Sequence, residues 1–205
     1  MKFGSGTHPK SEYARTLAAT LSYFLLKQRD IVGLARFDRD LTDYLDARWR
    51  PGHLKRVFAL LERPAEGQST NFGQTLKSLA RLTRKRGLIV FVSDFLSDPE
   101  TWRHPLAHLT AMGHDVRALQ ILDPAELSLE FGKAAYWEDI ESGETLYIDP
   151  DALRSRYKQR FQSRQAKITN VFSAAKIRHQ IITTDQALDI ALLDFVRNIH
   201  IRKPR

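Results

Sequence analysis

The chain contains no cysteine, so it has no disulfide framework and no thiolate chemistry. This fits a reducing compartment, and a cytoplasmic location is expected. No apolar run approaches the roughly 18–20 residues that cross a bilayer, and no secretory leader pattern is visible. There are no repeats, low-complexity tracts or linker-like stretches, so residues 1–205 read as a single domain. No Gly-x-Ser-x-Gly elbow and no P-loop occurs, which argues against hydrolase and NTPase chemistry. Acidic residues are in the minority, 24 against 32 Lys and Arg, for a formal net charge of +8. That balance favours acidic partners but says nothing about fold. Apolar residues make up 42% and charged residues 27% of the chain, which places it among ordinary globular proteins.

The most informative stretch is Arg86-Gly-Leu-Ile-Val-Phe-Val-Ser-Asp94. An unbroken apolar run from Leu88 to Val92 predicts a strand buried on both faces, as in a parallel sheet covered by helices. Ser93 and Asp94 then fall at its carboxyl end, where the loops of an open α/β sheet form a crevice. Asp94 has two readings there: a metal ligand or anchor, or simply the cap of the next turn.

Around this strand, helices and strands alternate. The apolar stripe of Tyr13, Leu17, Leu21, Phe24 and Leu25 predicts a helix over 11–28. Residues 31–37 read as a strand, with 41–49 returning beside it as a hairpin. Further helices are predicted over 53–62, 72–84, 99–112, 151–176 and 187–199, and further strands over 116–122 and 180–183. Residues 135–148, turning at Ser142-Gly143, predict an inserted β-hairpin. The architecture expected is α/β: a doubly wound, mostly parallel sheet.

Other constellations point less clearly. His104 and His108 lie four apart on a predicted helix, a spacing that can share a metal, but no third ligand stands nearby. Asp38, Asp40, Asp43 and Asp46 lie on the hairpin, where charge guards a sheet edge against strand addition. Arg154, Arg156, Lys158, Arg160, Arg164, Lys167, Lys176 and Arg178 could neutralise phosphates, so nucleic-acid binding through 154–178 is the alternative function. They fall at several angles around the helix, however, with Tyr157, Phe161, Ile168 and Phe172 as its buried face. A solvated basic face accounts for them better.

Seven short stretches in order carry a resemblance: Phe3-Gly-Ser-Gly6, Asp30-Ile-Val-Gly-Leu34, Gly67-Gln-Ser-Thr70, Arg86 to Asp94, Gly113-His-Asp-Val116, Asp123-Pro-Ala-Glu126 and Asp139-Ile-Glu-Ser-Gly-Glu144. Together they resemble the bacterial DUF58 family, within the group of von Willebrand factor A-like domains. The resemblance implies a non-enzymatic protein-binding module working with a MoxR-type AAA+ ATPase. It also implies a metal-ion-dependent adhesion site for Mg²⁺, with Thr70 and Asp94 as ligands. The family's Asp-x-Ser-x-Ser strand precedes the stretch at which this chain begins, so the first central strand and three further ligands are expected to be missing here. Metal binding is then expected to be weak or absent. The strands at 31–37 and 88–92 are expected not to close up on each other but to leave a gap or to accept an inserted strand.

Overall fold

The computed structural model describes residues 9–37, 41–64, 71–128, 135–138, 145–148 and 150–199, with the backbone path alone for 135–138, 145–148, 150–155 and 198–199. In chain order the elements are α1 (Lys10–Lys27), β1 (Val32–Phe37), β2 (Leu41–Arg48), α2 (His53–Leu61), α3 (Phe72–Leu82) and β3 (Leu88–Ser93). A 3₁₀ turn (Pro99–Thr101), α4 (Arg103–Ala111), β4 (Asp115–Leu122), α5 (Pro124–Ser128), β5 (Ala135–Glu138), β6 (Thr145–Ile148), α6 (Pro150–Ala174), β7 (Arg178–Thr183) and α7 (Leu188–Ile199) follow.

The parallel sheet has the order β3-β4-β7. β4 lies in the middle, and its side chains alternate between two faces. Val116 and Ala118 join Phe72, Leu76, Phe91, Trp102, Leu106 and Phe172 of one apolar cluster. Leu119 and Ile121 join Leu17, Leu21, Ile182, Ala191 and Phe195 of the other. The period-2 pleat thus feeds two cores, with α3, α4 and α6 over one face and α1 and α7 over the other. Gly113 closes the turn into β4 with a φ of 89°, a conformation that glycine adopts without steric cost.

β1 and β2 form the expected antiparallel hairpin, with Ala35 opposite Tyr44 and Arg36 opposite Asp43. They pair only with each other, and β3 pairs only with β4, among the described residues. The two strands have not closed up. Among the described residues, packing on both faces joins them: α1 contacts β1, β3 and β4 alike, and the Phe72 ring lies 5.5 Å from Phe37 of β1 and 5.3 Å from Phe91 of β3.

This arrangement corrects the reading of 88–92. Leu88, Ile89, Val90 and Val92 are only half-buried, because β3 lacks a neighbour on its β1 side among the described residues. The strand buried along its length is β4, whose run is broken by Arg117 and Gln120 in sequence but buried at both. The helix foreseen over 99–112 divides into the 3₁₀ turn and α4 at Trp102, whose side chain is wholly buried. α5 was not foreseen. It is short, and its signal is a capping box rather than a periodicity. The hairpin foreseen at 135–148 is present as β5 and β6, with Trp137 opposite Leu146; the surroundings of Trp137 and Tyr147, and residue Ile140, lie outside the described residues.

Candidate functional site

Three chain segments meet at the carboxyl edge of the sheet: the end of β3, the start of α5 after β4, and the first turn of α1. Each is fixed by local chemistry. Asp123 caps α5, its Oδ1 accepting from the Ala125 N–H at 2.9 Å. Glu126, three residues on, accepts from the Asp123 N–H at 2.8 Å through Oε2. This reciprocal pair with Pro124 in the first turn is a capping box, and it aims the other Glu126 oxygen back toward the sheet. Lys10 opens α1 and delivers its ammonium there. Its Nζ donates to Glu126 Oε1 at 2.8 Å and lies 3.7 Å from Asp94 Oδ2. Side-chain exposures of 2% for Lys10, 9% for Asp94 and 15% for Glu126 make this a buried ionic group rather than a surface pair.

The turn that carries Asp94 is held tightly. Phe95 has a φ of 53°, a left-handed conformation that costs a non-glycine residue about 1–3 kcal/mol. Packing offsets that cost: the Phe95 ring is buried 5.4 Å from Phe72, 5.7 Å from Trp102 and 5.1 Å from Phe172. The Ser93 hydroxyl accepts from the Phe95 N–H at 3.1 Å. Four successive carbonyls are also engaged. Gln120 Nε2 donates to Asp94 O at 3.2 Å, and Arg164 of α6 donates to the carbonyls of Phe95, Leu96 and Ser97. Behind Gln120 stands His179, its Nε2 2.9 Å from Gln120 Oε1 and its ring 4.9 Å from Phe172. Burial lowers the His179 pKa from 6.5 to about 4, so at neutral pH the ring is uncharged and donates through Nε2.

Thr70, the second expected metal ligand, lies outside the described residues, and so does the expected juxtaposition of Thr70 with Asp94. Among the described residues, Asp94 faces a cation, and that charge opposes a divalent ion on the same carboxylate. A metal on its carboxylate would sit near the Lys10 ammonium. At about 4 Å and an effective dielectric near 20, unit charges interact by about 4 kcal/mol, and a divalent ion doubles that repulsion. No group of three His, Cys, Asp or Glu residues with metal-binding geometry occurs among the described residues. His104 and His108 instead line a groove between α3 and α4 with Leu76, Lys77, Ala80, Arg81 and Pro105.

Most of the other candidate residues have settings apart from this edge. Asp43 pairs with Arg63 at 2.7 Å and Arg36 at 3.5 Å, and Asp46 with Arg48; Asp38 and Asp40 lie outside the described residues. On α6, Ile168 and Phe172 are buried as expected, but Tyr157 is 40% exposed and stacks on Phe161. Arg156, Lys158, Arg160 and Lys167 are solvated, whereas Arg164 is engaged in the Asp94 turn. The sequence reading missed Lys10, Glu126 and Arg164 as members of this edge. Only the Asp123-Pro-Ala-Glu126 capping pattern could have flagged Glu126 beforehand; lysine and arginine identities carry no such signal.

These features define a three-layer α/β protein with a fixed, ionic carboxyl edge. Residues 1–167 match the family described as "Protein of unknown function DUF58", and the chain belongs to that family. It is 27% identical over 146 residues to an uncharacterised protein of Mycobacterium avium, covering 71% of this chain and 85% of that one. It is 26% identical over 208 residues to an uncharacterised protein of Mycobacterium tuberculosis, covering 99% of this chain and 64% of the relative's length. The fold is similar to that of an aerotolerance-related membrane protein from Bacteroides fragilis, with a TM-score of 0.63 at 15% identity, covering 96% of this chain and 91% of that one. A conserved hypothetical protein, BatB, from Bacteroides thetaiotaomicron gives the same TM-score at 14% identity and the same coverage. No helix among the described residues is long and apolar enough to cross a membrane.

Proposed function

We propose that this chain is a non-enzymatic protein-interaction module of the von Willebrand factor A type with a degenerate divalent-metal site. In this reading it works in the cytoplasm with a MoxR-type AAA+ ATPase in the assembly or activation of other proteins. The observation that carries this reading is the use made of the carboxylates at the sheet edge. Asp123 caps a helix, Glu126 completes that cap and binds Lys10, and Asp94 faces the same ammonium. Groups committed to holding loops in place are suited to presenting a rigid surface, not to shuttling protons through a reaction cycle. Family membership and the ordered stretches quoted above support the choice of partner.

The test is direct binding of a purified MoxR-type ATPase to the immobilised chain, with the ATPase rate read in parallel. A Kd of about 10 µM or tighter, roughly −7 kcal/mol, is expected. No binding at about 100 µM overturns the partner assignment. Turnover of a small-molecule substrate by the purified chain overturns the non-enzymatic one.

A further inference from the structure

We infer that Lys10 is the resident cation of the carboxyl edge: its ammonium stands in for a divalent ion, and the edge keeps its shape without metal. The inference takes from the proposed function only the location of the edge. Its physical basis is the geometry of one buried residue. Lysine is almost never fully buried unless paired, yet Lys10 is 1% exposed. It enters from the first turn of α1, where the helix dipole already supplies positive potential. There it meets carboxylates brought by two other elements, Glu126 of α5 at 2.8 Å and Asp94 after β3 at 3.7 Å.

The consequence for folding is specific. A metal clip would tie together the loops after β3 and β4 only when loaded. A lysine on α1 ties them together in every molecule, and adds the helix to the same node. Tyr13, one turn along α1, reinforces the node by donating its hydroxyl to Gln186 O at 2.9 Å, in the segment after β7. The α1 start is thus bonded to the segments that follow β3, β4 and β7. Asp123, beneath Glu126, keeps its own oxygens on the Ala125 N–H and the Thr184 hydroxyl, the latter at 3.4 Å. The charge that faces Asp94 and Glu126 is therefore supplied within the chain.

The experiment compares thermal midpoints of the chain and of Lys10→Ala, each with 5 mM EDTA, Mg²⁺ or Mn²⁺, alongside Mn²⁺ titration followed by water-proton relaxation. The unaltered chain should show the same midpoint in all three solutions and no Mn²⁺ binding below millimolar concentration. Lys10→Ala should lose about 10 °C in EDTA, since one partner of a buried ionic group has gone. It should recover several degrees in Mn²⁺, because removal of the ammonium exposes two carboxylates to a divalent ion. Recovery should vanish in the Lys10→Ala/Asp94→Asn pair. Micromolar Mn²⁺ binding by the unaltered chain overturns the inference. So does a Lys10→Ala protein whose midpoint is unchanged, or one that Mn²⁺ does not stabilise. If Lys10→Ala does not fold, Lys10→Met and the titration of the unaltered chain decide the question. These readouts involve no partner, so their failure and failure to bind an ATPase are separate results.

Discussion

Acidification should weaken this fold through His179. The imidazole is held neutral by burial against Phe172, and its pKa falls from 6.5 to about 4. Above pH 6.5 both folded and unfolded chains carry a neutral ring, and its contribution to stability is fully present. As pH falls from 6.5 toward 4 the unfolded chain takes up a proton that the folded chain does not, so stability is lost across that window. A pKa of about 4 in place of 6.5 sets a ceiling of about 3 kcal/mol. The ring is half-buried, so solvent screening reduces the expected loss to roughly 2 kcal/mol. His179→Gln keeps an amide donor for Gln120 Oε1 but cannot titrate. Urea unfolding of both proteins at pH 7.5 and pH 4.5 isolates the difference, because the carboxylates that titrate in the same range are common to both. The unaltered chain should lose roughly 2 kcal/mol more than the variant. An NMR titration should place the His179 midpoint well below 6.5, near 4. A His179 midpoint of about 6 or higher, or equal acid losses in the two proteins, would refute the account.

Three further outcomes follow from the packing. Phe72→Ala removes the ring shared by Phe37, Phe91, Phe95 and Trp102; a loss of about 3–5 kcal/mol is expected in urea unfolding. Arg164→Met keeps the apolar stem but leaves the carbonyls of 95–97 without their cationic donor. It should cost about 1.5–3 kcal/mol, with faster amide exchange across 94–98 than elsewhere. Gly73→Ala places a methyl 2.6 Å from the Thr101 carbonyl oxygen, a backbone atom. It should cost about 1–3 kcal/mol in a thermal or urea melt, whereas Gly87→Ala, with nothing within 4 Å, should be close to neutral.

Local patterns in the sequence determined the secondary structure, because periodicity and capping are written in neighbours. The stripe from Tyr13 to Leu25 gives α1, and the alternation around 31–49 gives the β1–β2 hairpin. Asp123-Pro-Ala-Glu126 encodes the α5 cap even though the helix itself was too short to show a period. The family, too, was legible from seven ordered stretches. Asp94 was correctly placed at the end of a parallel strand, since an apolar run followed by Ser-Asp can end only at a loop. Tertiary structure decided the rest. Hydrophobicity marks a strand as buried but not as central: β3 is the more apolar run, yet β4 is the middle strand, because hydrogen-bonded neighbours, not composition, fix strand order. It also decided what Asp94 faces. Lys10 and Glu126 lie 84 positions before and 32 positions after it in the chain, and no pattern links such positions until the sheet brings the ends of its strands and the start of α1 to one edge. Charge shows the same division. The sequence displays Arg164 as one of many cations on α6, and only the folded chain, by turning that helix against the loop after β3, selects it to bind three carbonyls while its neighbours stay in water.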